Sequence, residues 1–180
     1  MHTKRVLYFP LATVLLTLSS ISFAGLTSTP IPVTATITQG CLISTTSALA
    51  FSAYDPIGTN LSVPLNATGA ISVTCTKGAT GLTIGMDLGS HVAGAQRQMI
   101  GTVSTNLLSY NIFQPPSGVP GTACTFPGTT AWTTTGSGLL TLPSPPSNVA
   151  RLFNVCGTIP AGQNVSADAY ADTVNATINF

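Results

Sequence analysis

The sequence predicts an all-β protein, a Greek-key sandwich of immunoglobulin-like architecture, and three observations carry that expectation. Over residues 170–180 the even positions read Tyr, Asp, Val, Ala, Ile, Phe and the odd ones Ala, Thr, Asn, Thr, Asn. This is the period-two pattern of a strand with one buried face. A second such run, Ile31, Val33, Ala35 and Ile37 with threonines at 34, 36 and 38, lies far upstream. Between the two, short alternating runs recur at turn spacing, and no segment keeps a helical period with caps. No strand pattern follows the last run in this sequence, while a spare strand sits on a leader. That arrangement suits a chain that lends and borrows strands between copies.

Taken in order, the chain starts with Met-His-Thr-Lys-Arg, continues with an apolar run over residues 6–18, and reaches Ser22-Phe23-Ala24. Residues 1–24 therefore read as a secretory signal peptide, and the remainder has the length of about one domain. The apolar run is short for a membrane span, and with no cysteine near the cut a lipid anchor is not expected. An exported chain without stable membrane insertion follows. Residues 25–38 form the leader, with Pro30 and Pro32 on the face opposite Ile31 and Val33, tolerable in an edge or added strand.

Residues 48–54 make a short strand candidate closed by Asp55-Pro56-Ile57-Gly58. Ile71, Val73 and Cys75 alternate with Ser72, Thr74 and Thr76. After the turn residues 77–81, Leu82, Ile84, Met86 and Leu88 continue the pattern, so a β-hairpin is expected. Gly85 and Gly89 on the polar side of that strand mark a bulge or a close backbone approach. Leu107–Phe113 reads as a strand. Residues 114–148 are loop-rich, with seven prolines and five glycines and one short strand near residues 139–142, before Arg151–Ile159 resumes a strand.

Beyond residue 24 the charged side chains are Lys77, Arg97 and Arg151 against Asp55, Asp87, Asp168 and Asp172, and none lies between residues 98 and 150. Phosphate backbones and acidic lipid surfaces have little to attract them, so nucleic acid is excluded as a partner. The four cysteines of an exported chain read as two disulfides, for which three pairings are open. Cys41 with Cys75 and Cys124 with Cys156 is favoured, because each pair joins nearby strands within one half. Chain-entropy reasoning assigns roughly 3 to 4 kcal/mol to each bridge.

Catalytic chemistry is not expected, nor any cofactor or metal. His91 is the one histidine beyond residue 24 and sits in a Gly/Ser/Ala loop, the setting of a solvated side chain rather than a general base. Asp168 and Asp172 flank Tyr170 and imitate a carboxylate pair, but a strand-end hydrogen-bonding role fits Asp172 better. No Gly-x-Ser-x-Gly is present, and the cysteine spacing does not suit zinc. Phe126 and Trp132, in an uncharged Thr/Gly loop, form a candidate adhesive surface; a tryptophan packed over its own disulfide is the alternative.

The residues also resemble a family over essentially the whole chain after residue 24. Ile37-Thr-Gln-Gly-Cys41, Ile71-Ser-Val-Thr-Cys75, Met86-Asp-Leu-Gly89, Arg97-Gln-Met99, Leu108-Ser-Tyr110-Asn-Ile-Phe113, Gly157-Thr-Ile159 and the ending from Tyr170 to Phe180 occur in the order and spacing of the spore coat protein U family. To that family belong pilins of archaic (Csu-type) chaperone-usher pili. The resemblance implies an incomplete sandwich lacking its last strand, completed by a donor strand from another subunit, with residues 39–180 as the pilin domain. It implies Ile31, Val33, Ala35 and Ile37 as donor residues and Tyr170, Val174, Ala176, Ile178 and Phe180 as the acceptor-groove strand. The implied partners are self or sister pilin subunits, a periplasmic chaperone and an outer-membrane usher. The implied role is a surface pilus serving adhesion and biofilm. The segment after Phe113 departs from the pattern, being longer and carrying Cys124, with Cys156 where an aromatic residue is usual. A secreted carbohydrate- or surface-binding module and a coat or matrix protein outside any pilus are the rival readings.

Overall fold

In a computed structural model of the chain, residues 25–180 are described; the expected signal peptide lies outside them. The chain divides into two compact units, one ending at Thr36 and one spanning Ile37–Phe180. Residues 25–36 carry neither strand nor helix, and every one of them is exposed.

The second unit is built from ten strands: β1 (Cys41–Ser47), β2 (Leu65–Cys75), β3 (Thr83–Met86), β4 (Val92–Ala93), β5 (Gln96–Gly101), β6 (Leu107–Phe113), β7 (Leu140–Thr141), β8 (Arg151–Ile159), β9 (Tyr170–Ala171) and β10 (Ala176–Asn179). The larger sheet runs β1-β2-β8-β6-β5-β4, with β9 also pairing β5, and the smaller runs β10-β3-β7. All pairings are antiparallel. This is an immunoglobulin-like sandwich, and its core fills from the alternation that the sequence displays. Ile71, Val73 and Cys75 of β2 face Ile84 and Met86 of β3, with Leu108, Tyr110 and Ile112 of β6 and Phe153, Val155 and Ile159 of β8 completing the layer.

Both disulfides form, Cys41–Cys75 and Cys124–Cys156. The first joins directly opposed residues at one end of the β1–β2 ladder. The second ties the long loop to β8.

Three strand expectations are corrected. Residues 71–76 and 82–88 are not a hairpin. β2 pairs with β1 and β8, and β3 with β10 and β7, so the turn at residues 77–81 carries the chain from one sheet to the other. Period-two alternation is the same for a hairpin partner and for a strand of the facing sheet, which is why the sequence did not separate them. Residues 48–54 are not a strand, having no ladder partner. The pattern over residues 170–180 is not one strand but two short ones: β9 belongs to the larger sheet and β10 to the smaller, with residues 172–175 crossing between them.

Candidate functional site

The smaller sheet ends at β10, whose far edge has no partner among the described residues. β1 comes close to β10, and beyond that approach residues 43–54 face residues 165–176 across a groove. Two adjoining cavities occupy the groove, of about 440 Å³ and 460 Å³. Ile43, Val174 and Ala176 line the first, and Tyr54, Val165 and Tyr170 the second; Leu49, Phe51 and Met99 line both. The two walls run antiparallel, because the earlier part of residues 43–54 meets residues 172–176 and the later part meets residues 165–170. Two unpaired backbone edges with an apolar floor between them match what an added strand needs.

The floor is shaped by two glycines. A Cβ on Gly69 of β2 would stand 2.9 Å from the Leu49 backbone nitrogen, and one on Gly157 of β8 would stand 2.7 Å from the Leu49 methyls and 2.8 Å from Cζ of Phe51. Leu49 and Phe51 therefore rest directly on sheet backbone. Tyr54 anchors the far end of this wall, its hydroxyl donating to the Pro160 carbonyl at 2.9 Å and accepting from the Gln163 N–H at 3.0 Å.

The opposite wall is held by carboxylates. Asp172 accepts from the Tyr110 hydroxyl at 2.7 Å, the Ser90 N–H at 2.9 Å and His91 Nδ1 at 3.2 Å. Asp87 accepts from the Asn175 N–H and side-chain amide at 2.9 and 2.7 Å, while its own N–H donates to the Asn175 carbonyl at 3.1 Å. Gly89, at φ +85°, admits this approach: a Cβ there would collide with the Asp172 carboxylate. Asp168 stands apart, binding the N–H groups of Val103 and Ser104. The aspartates thus position the crossing segment in place of the strand partner it lacks, and Asp168 and Asp172 do not form a pair.

Arg97 ties the sheets together from β5. Only 4% exposed, it donates to the carbonyls of Met86, Asp87 and Trp132. Burial lowers its pKa, opposed by the nearby Tyr110, Asp87 and Asp172. Burial and Asp172 push the Tyr110 phenol well above its ordinary range. Burial pushes the Asp172 carboxyl up, but hydrogen bonds from Tyr110, the Thr173 and Ser90 backbones and His91 outweigh it and hold it below the ordinary 3.8. Asp87 is likewise held below 3.8, its burial outweighed by Asn175 and Gly89. A carboxyl depressed in the folded state contributes stability that is complete above the unfolded value of about 4 and is lost as pH falls through the folded value. The urea midpoint is accordingly expected to stay flat from pH 7 to about pH 5 and to drop below pH 4. Asp172→Asn should flatten part of that drop, as read by urea titrations across the range.

The structure places the sequence-predicted site residues as follows. Tyr170, Val174, Ala176 and Ile178 are each only half-buried against the core, and Phe180 is 55% exposed. Ile31, Val33 and Ile37 are 81%, 91% and 84% exposed, and Ala35 is exposed with them. The adhesive-surface expectation for Trp132 is corrected. Its side chain is fully buried, donating from Nε1 to the Ile84 carbonyl at 2.8 Å, while its own N–H donates to the Ile112 carbonyl at 2.9 Å. It joins the two sheets as a core residue; Phe126 alone of that pair reaches the surface. The Asp87–Asn175 and Asp172–Tyr110 anchors were missed in the sequence, although Met86-Asp-Leu-Gly89 and the Asp172 strand end were both singled out. Among the described residues no group of three His, Cys, Asp or Glu is placed to hold a metal.

A profile of the spore coat protein U domain matches residues 27–177. The chain belongs to the spore coat protein U domain family. Protein U of Myxococcus xanthus is 38% identical to it over 144 residues, 73% of this chain and 71% of that protein. Its fold is similar to a chain in the crystal structure of the CsuC–CsuE chaperone–tip adhesion subunit pre-assembly complex, from archaic chaperone-usher Csu pili of Acinetobacter baumannii. That match has a TM-score of 0.52 at 17% identity and covers 81% of this chain and 41% of the other. The chain thus spans about two fifths of that chain's length, and the likeness is one of fold.

Proposed function

We propose that this chain is a structural subunit of an archaic chaperone-usher pilus that polymerises by donor-strand complementation. Residues 25–38 of one copy fill the groove between residues 43–54 and residues 165–176 of the next. The observation that carries this reading is the pairing of an incomplete site with a surplus segment. The groove offers two unpaired strand edges over half-buried apolar side chains. The leader exposes Ile31, Val33 and Ile37 at alternate positions. The mechanism is non-covalent: leader backbone extends the sheet while alternate side chains enter the cavities.

On this reading a periplasmic chaperone fills the groove until an outer-membrane usher exchanges it for the next leader, the subunit reaches the cell surface in the fibre, and the fibre serves adhesion and biofilm. The complex of a chaperone with a tip adhesion subunit among similar folds is the precedent for the first of these partners. Ile37→Asp is the direct test, since a carboxylate in an apolar cavity costs several kcal/mol or must be neutralised. The variant is expected to bind its co-expressed chaperone normally, because the chaperone uses the groove and not the leader, and to yield no fibres by electron microscopy. Normal fibres would end the proposal.

A further inference from the structure

We infer that Ala35 is the residue of the leader that selects which segments enter the groove, by passing a waist between the two cavities. This rests on the donor-strand reading and assigns its register. Leu49, Phe51 and Met99 line both cavities and so stand between them. Along the wall of residues 165–176, Tyr170 of one cavity and Val174 of the other are four residues apart in sequence, as are Ile37 and Val33 of the leader. A leader laid out as a strand rises about 3.3 Å per residue, so Val33 and Ile37 stand about 13 Å apart. A leader laid in the groove with one large side chain in each cavity places Ala35 at the waist beside Asp172. The pattern Val33-x-Ala35-x-Ile37 is symmetric about Ala35, so the placement holds for either strand direction.

The waist has no slack on its far side. Leu49 and Phe51 already press on the bare backbone of Gly69 and Gly157, where even a Cβ would come within 2.9 Å and 2.7 Å. A side chain larger than methyl at position 35 has to displace them, and the sheet behind blocks retreat. Met99, unbranched and half-buried like Leu49 and Phe51, is the wall residue that yields most easily to trimming. The occupant is therefore a second copy's leader, with its large-small-large spacing.

The test compares full-length chains by sedimentation and electron microscopy of the secreted, processed protein. All leader changes fall on exposed positions outside the packed sandwich, so folding is not at stake. Ala35→Phe is expected to abolish the sedimenting fibre fraction. Thr36→Phe, on the opposite face, is expected to keep it, and Met99→Ala is expected to restore fibres to Ala35→Phe. Loss of fibres in Thr36→Phe as well, or no restoration by either Met99→Ala or Phe51→Ala, overturns the inference. Wild-type fibres from Ala35→Phe also overturn it. In that case Ile37→Asp separates the causes: if it still blocks assembly, only the register is wrong, and if it too polymerises, the donor-strand reading falls with it.

Discussion

Moving residues 25–38 behind Phe180 through a short linker is expected to convert an aggregating or marginal subunit into a stable monomer. The relocated segment follows β10 as a hairpin partner, and an antiparallel neighbour needs only a tight connection. It brings Val33 and Ile37 into the two cavities and lays Ile31 further along the same face, all three now more than four-fifths exposed. Burying them fully contributes on the order of 5 to 8 kcal/mol before the strand's ordering entropy is subtracted. If about 2 kcal/mol survives as net stability, the melting temperature of a domain this size rises by about 4–8 °C. Gln39 and Gly40 stay in place, so their bonds to Thr80 and Thr76 persist. Size-exclusion chromatography and thermal unfolding read the outcome. Equal stability and equal monomer content in the two forms would mean that the sandwich is already complete.

The second large effect is expected at Trp132. Trp132→Ala removes a fully buried indole whose Nε1–H bonds the Ile84 carbonyl of β3, and large aromatic truncations in cores cost about 3–5 kcal/mol. The Ile84 carbonyl loses its donor as well, which adds to the cavity term. Measured in the relocated monomer, where polymerisation does not interfere, the melting temperature is expected to fall by about 6–20 °C. Trp132→Phe should recover much of the packing but not the hydrogen bond. A surface role for the ring would instead leave stability unchanged and alter binding.

Much of the sandwich was legible in the sequence because burial on a pleated sheet imposes a period of two wherever one face is covered. Leu107–Phe113 and Arg151–Ile159 appear with the bounds the alternation indicates, and the half-by-half spacing of the cysteines matches the two bridges. Of the even positions from Tyr170 onward, Tyr170, Asp172, Val174 and Ala176 line the cavities, while Ile178 and Phe180 do not. The polar supports were not legible. Asp87 and Asp172 look like ordinary loop and strand-end aspartates until the fold brings Asn175 and Tyr110 to them across 88 and 62 residues.

By itself the sequence determined the all-β class and the inward face of each long strand, since these follow from local alternation and composition. Only the tertiary structure decided which sheet each strand joins, that the last run splits between two sheets, and that Trp132 is core. It alone revealed the two cavities meeting at a waist floored by Gly69 and Gly157. Those features depend on which backbones approach one another in space, and period-two patterning carries the face of a side chain but not the identity of the neighbour it meets.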